Sequence, residues 1–94
     1  MSNDEIYAAG LLLRALDPAT QPPAIREWLR QESARLREIV GEGRRVVDFG
    51  CGTGRHLADL APRLALGVGL DYERSYLAVA RDRRIVGPVH FVLA

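Results

Sequence analysis

Lysine is absent from this chain of 94 residues: all 13 basic residues are arginines, set against 12 acids for a net charge of +1. The arginines are interspersed with Asp and Glu rather than gathered into a stripe, so nothing points to a nucleic-acid or anionic-membrane surface. Without lysine there is no GxxxxGK[ST], and hence no phosphate-cradling P-loop. A single cysteine, Cys51, leaves no intramolecular disulfide and suits a reducing compartment. No run approaches the roughly 18 apolar residues of a membrane helix. No basic start followed by an apolar stretch and a cleavage site marks a signal peptide, so a cytoplasmic location is expected. His56 and His90 stand too far apart, and too short of partners, to spell a metal site. What remains, 48% apolar and 27% charged, is the composition of one soluble globular domain.

The informative stretch runs from Arg45 to Asp71. Val46, Val47 and Phe49 form a short apolar run rich in β-branched residues, as in a parallel strand covered on both faces. Gly50, Gly52 and Gly54 follow at alternate positions, where the backbone can turn at positive φ with no Cβ to hold a ligand away. Leu57, Leu60, Ala61 and Leu64 then recur at helical spacing, and Leu66 to Leu70 is a second apolar run that ends at Asp71. Strand, loop, helix and strand make a βαβ unit, whose ligands bind at the carboxyl ends of the strands. The dinucleotide fingerprint GxGxxG would need a glycine where Arg55 stands. The third glycine comes one residue early, giving DxGxGxG from Asp48.

With Asp48 before the glycines and Asp71 after the next strand, VVDFGCGTG…GVGLD resembles the nucleotide-binding half of class I S-adenosylmethionine-dependent methyltransferases. The resemblance covers roughly residues 44 to 94. It implies S-adenosylmethionine as cofactor and a small-molecule methyl acceptor. The loop Gly50, Cys51, Gly52, Thr53 and Gly54 would lie under the methionine and ribose parts. Asp48 would face the methionine ammonium, Asp71 would accept from both ribose hydroxyls, and Tyr72 would lie against the adenine. The substrate pocket and any general base would come from beyond the third strand. No catalytic residue is therefore named, and this chain alone is expected to be incomplete and inactive.

The residues taken alone leave other readings open. Asp48 could cap the loop through backbone N–H groups, and Asp71 could N-cap the next helix. Tyr72 could be a core edge. Cys51 could be a thiolate favoured by a helix N-terminus, or simply a small residue packed among glycines. At the level of function the alternative is a non-catalytic nucleoside-binding or assembly module that keeps a half-fold.

Around this unit the chain reads as α-α-β-α-β-α-β: a Rossmann-like doubly wound parallel sheet, N-terminal half only, with three strands preceded by two helices. We divide it into an N-terminal helical segment, 1–43, and the first half of the cofactor domain, 44–94. The first helix is capped at Ser2 or Asn3, buries Ile6, Gly10, Leu13 and Leu16, and stops at Asp17-Pro18. Tyr7 on it is a candidate site contact or a packing residue. The second helix starts at Pro22 or Pro23 and buries Ile25, Trp28, Leu29, Leu36, Ile39 and Val40, with its charges, Glu32 included, on a solvated face. A third helix spans about Ser75 to Arg83 and a third strand Val89 to Leu93; His56 is expected to face solvent. In the doubly wound order the first strand is central. The sequence at hand would leave it as an edge, so the isolated chain is expected either to self-associate through it or to be partly molten.

Overall fold

A computed structural model describes residues 2–94. Helix α1, Asn3–Ala15, is capped by Ser2, whose Oγ accepts from the Glu5 amide at 3.1 Å. Asp4 and Glu5 in its first turn suit the positive end of the helix dipole. At Asp17 the chain leaves the helix for a short 3₁₀ turn, Pro18–Thr20, with the Asp17 carboxylate accepting from the Ala19 amide. Helix α2, Pro23–Val40, opens on a proline whose missing N–H costs nothing there, and ends at Gly41. Strand β1 is Arg44–Phe49, helix α3 Arg55–Leu60 and strand β2 Leu64–Asp71. Pro62 cuts α3 short, so Ala61–Arg63 is a 3₁₀ turn rather than the further helical turn expected from Leu64. Helix α4, Arg74–Asp82, and strand β3, Val89–Leu93, complete the chain.

The three strands are parallel in the order β1-β2-β3, which makes β1 an edge. Register places Val46 beside Gly67 and Val89, and Asp48 beside Gly69 and Phe91. These residues share one face of the sheet, and the helices meet that face. Leu57 and Leu60 of α3 are buried there with Leu64, packed against Val40, Val46, Val89 and Phe91. The two glycines of β2 are what let the helices and Phe91 come so close. A Cβ at Gly69 would lie 2.7 Å from the Phe91 ring and 2.8 Å from Cys51 Sγ, while one at Gly67 would lie 3.0 Å from Leu64.

Among the described residues, no helix covers the other face. Val47 is 54% exposed, Phe49 79% and Val92 45%, so this is half of a doubly wound sheet with one of its two helical layers. Covering on both faces, expected of Val46, Val47 and Phe49, is found for none of them: Val46 is half-buried against the helices, and Val47 and Phe49 are exposed. The helices are also less buried than their periodicity predicts. Leu29 is buried, but Ile25, Trp28 and Ile39 of α2 and Ile6 and Tyr7 of α1 are exposed. A helix packed on a three-stranded sheet meets too little surface to cover a broad apolar stripe. What ties α2 down instead is charge. Arg37 Nη1 donates to both oxygens of Asp59, at 2.8 and 2.7 Å, and Glu32 receives Arg55. Glu32 is thus an interhelical partner, where a solvated face was expected. His56 is half-buried, 3.6 Å from the same carboxylate, rather than free in solvent.

Candidate cofactor-binding site

The carboxyl ends of β1 and β2 meet under the glycine loop. Gly50, Gly52 and Gly54 have φ of 71°, 58° and 80°, the left-handed region that L side chains rarely occupy. This lets the loop fold back at once. The Gly50 and Cys51 amides both donate to the Leu70 carbonyl, at 2.8 and 3.0 Å, and the Gly54 carbonyl takes the Ala58 amide to start α3. At Gly54 space is short as well, since a Cβ would sit 2.8 Å from the Phe91 ring.

Asp71 holds this loop to the start of α4. Its Oδ2 accepts from the Gly52 amide at 2.9 Å and its Oδ1 from the Glu73 amide at 2.8 Å. The carboxylate is buried, and each oxygen keeps a further lone pair for a ligand hydroxyl. The helix-start reading of Asp71 is therefore realised in part, through an Asx turn onto Glu73, and a bridge to the glycine loop comes with it. Tyr72 next to it is 84% exposed, a free ring over an open hollow of about 580 Å3 lined by Ser2, Glu5, Glu73, Arg74 and Leu93.

Asp48 does not cap the loop. Its Oδ2 is buried with no hydrogen-bond partner. Burial pushes its pKa above the usual carboxylate value; the nearby His56 opposes this and Asp71 adds to it. An orphaned buried acceptor of this kind is costly unless something donates to it. Cys51 is buried, and burial together with the Asp48 and Asp71 charges pushes its thiol up to about 11. That argues against the thiolate reading: burial first, and the two carboxylates after it, disfavour the charged thiol, and Cys51 packs beside Gly69. Thr53 is buried too. Its carbonyl accepts from Arg83 Nε at 2.6 Å, and its hydroxyl lies 3.4 Å from the same guanidinium. Arg83 was not legible as a loop anchor, because it lies 30 residues away and looks in sequence like one of several cations closing α4. Leu12 of α1, which a Cβ at Gly52 would touch, was equally hidden. Tyr7 takes no part in the hollow.

The arrangement thus joins a left-handed glycine loop, an acid bridging it from the end of β2, and an unpartnered acid beneath it. Solved structures share its fold. YcgJ of Bacillus subtilis superposes with a TM-score of 0.62 over 69% of this chain and 30% of its own, at 20% identity. A S-adenosylmethionine-dependent methyltransferase of Thiobacillus denitrificans, solved with S-adenosylhomocysteine, gives 0.57 over 68% and 29%, at 25% identity. The chain has the N-terminal half-fold of the class I S-adenosylmethionine-dependent methyltransferases. A third structure with this methyltransferase half-fold, the [4+2]-cyclase SpnF, gives 0.60 over 73% and 28%, at 24% identity. The chain spans less than a third of the length of these three structures. No protein-family model and no curated protein matches it. Among the described residues, no group of three or more His, Cys, Asp and Glu is placed to hold a metal ion, and no helix is long and apolar enough to cross a membrane.

Proposed function

We propose that this chain is the S-adenosylmethionine-binding portion of a methyltransferase acting on a small molecule in the cytoplasm. The observation that carries the reading is Asp71, which stands at the end of β2 with both oxygens fixed by backbone amides, one from the glycine loop and one from the start of α4. A carboxylate so oriented offers its remaining lone pairs to a pair of vicinal hydroxyls. The orphaned Asp48 Oδ2 suits a donor such as an ammonium, and the exposed Tyr72 ring suits an adenine face. Arg55, which stands where a dinucleotide fold needs its third glycine, is engaged with Glu32 of α2.

When bound, the cofactor supplies an already activated sulfonium methyl, so the protein's task is alignment. Asp71 would fix the ribose, Asp48 the amino-acid end, and the loop Gly50–Gly54 the backbone surface between them. Arg83 would keep that loop in place through Thr53. No residue here is assigned to the acceptor, and the acceptor atom is left open.

A second reading, a nucleoside-binding or assembly module without methyl transfer, is favoured by one observation: a cyclase has the same half-fold. Calorimetric titration of the chain with S-adenosylhomocysteine, S-adenosylmethionine and NAD tests the shared part of both readings. Binding of the first two and not of NAD is expected. Tighter binding of NAD would overturn it.

A further inference from the structure

Helix α3 begins directly after the glycine loop and has little of its own to fix where it starts. It is six residues long, far below the roughly 12–15 at which an isolated helix is even marginal in water. Its N-cap, Gly54, is left-handed and offers no side chain to the first-turn amides. What holds it is α2, at two rungs. Arg55, the first residue of α3, gives its Nη2 to Glu32, with His56 Nε2 3.3 Å from the same nitrogen. One turn further along, Asp59 takes Arg37. All four side chains of the two pairs are half-buried. Arg55 Nε is buried without an acceptor, so among the described residues Glu32 is the one carboxylate on this guanidinium. The two rungs differ in place. Arg55 adjoins Gly54, whose other neighbour, Thr53, is held through its carbonyl by Arg83 at 2.6 Å. The Arg37 rung is remote from the loop.

We propose that Glu32 is a positioning residue of the cofactor loop: through Arg55 it fixes the α3 end of Gly50–Gly54, so that the loop is formed before a ligand arrives. The inference rests on the cofactor reading of that loop. It adds α2, which lines no part of the hollow beside Tyr72, to the elements that set affinity. A loop with three left-handed glycines has many other conformations open to it. Ordering it at the moment of binding would subtract from affinity, and a tie that holds it beforehand removes that loss. The Arg37–Asp59 rung supplies the control, since it joins the same two helices by the same chemistry at similar burial without touching the loop.

Glu32→Ala and Asp59→Ala each remove one rung, and urea unfolding should show both variants folded and both less stable than wild type. In calorimetry Glu32→Ala should bind S-adenosylhomocysteine about tenfold more weakly than wild type, and Asp59→Ala within about twofold of it. Glu32→Gln, which keeps an oxygen facing Arg55, should recover part of the loss. Should Glu32→Ala fail to fold, Glu32→Gln set against Asp59→Asn makes the same comparison. Without any ligand, hydrogen exchange at the Gly54 amide, which donates to the Cys51 carbonyl at 3.0 Å, should quicken in Glu32→Ala more than in Asp59→Ala. Equal effects of the two substitutions on affinity, or Gly54 exchange that Glu32→Ala does not change, would overturn the inference and leave the cofactor reading standing. Failure of the wild-type chain to bind S-adenosylhomocysteine would instead overturn that reading, and the inference with it.

Discussion

Three glycines of this chain separate two physical effects that are normally confounded. At Gly50 the backbone is left-handed, φ 71°, but a Cβ would meet nothing within 4 Å. At Gly69 the backbone is ordinary, but a Cβ would lie 2.7 Å from the Phe91 ring and 2.8 Å from Cys51 Sγ. At Gly54 both hold, with φ 80° and the Phe91 ring at 2.8 Å. Left-handed strain costs a non-glycine residue roughly 1–2 kcal/mol, and overpacking a filled core roughly 1–3 kcal/mol. Against either, replacing glycine recovers about 0.4–1 kcal/mol by narrowing the unfolded ensemble. Ala at Gly50 should therefore cost about 1 kcal/mol, at Gly69 about 1–2, and at Gly54 about 2–4. Urea unfolding followed by far-UV circular dichroism measures all three. Since Phe91 is the main obstacle at Gly69, that substitution should cost about 1 kcal/mol less in a Phe91→Leu background. If Gly54→Ala proves no worse than Gly50→Ala, or if Phe91→Leu gives no relief, the packing of the loop and β2 against Phe91 is wrong.

Asp71→Ala strands two backbone donors, so it should cost about 1.5–3 kcal/mol of folding stability as well as most S-adenosylhomocysteine affinity; urea unfolding and calorimetry separate the two losses. Asp48 is held above its usual pKa by burial, so the folded state binds its proton more tightly than the unfolded state does. The resulting penalty is absent below the unfolded pKa and grows as pH rises through the folded one. Asp48→Asn should therefore stabilise the ligand-free protein near pH 7, with the advantage over wild type shrinking toward pH 4 in urea titrations. Cys51, at about 11, is about one part in a thousand thiolate at pH 8. Alkylation by iodoacetamide should be at least about 100-fold slower than for a free cysteine, and should recover in urea.

The parts of this fold that were legible in the sequence are those written in local chemistry. Ser2 before an acidic first turn, Pro23 opening α2, Gly41 closing it, and alternating glycines after an apolar strand each act within a few residues of where they stand. Asp71 was legible as the acid that ends β2 and as a partner of the next helix's first turn, whereas its bond to the Gly52 amide was not. The misses all depend on what lies opposite. Trp28 and Ile39 follow helical periodicity but meet no surface that covers them. Glu32 looks like any exposed acid until α3 brings Arg55 to it, and Arg83 looks like a helix-terminal cation until the fold sets it against Thr53. That Asp48 is unpartnered, rather than a loop cap, follows from β1 standing at the edge with its neighbouring amides already committed to β2.

The most direct test is a two-dimensional NMR titration of the 15N-labelled chain with S-adenosylhomocysteine, read at backbone amides. If the glycine loop and Asp71 hold the ligand, the amides of Gly50, Gly52, Gly54, Tyr72 and Glu73 should shift together and saturate at one stoichiometry, while NAD leaves them in place. Shifts confined to other parts of the chain, or the same shifts with NAD, would contradict the assignment of this site.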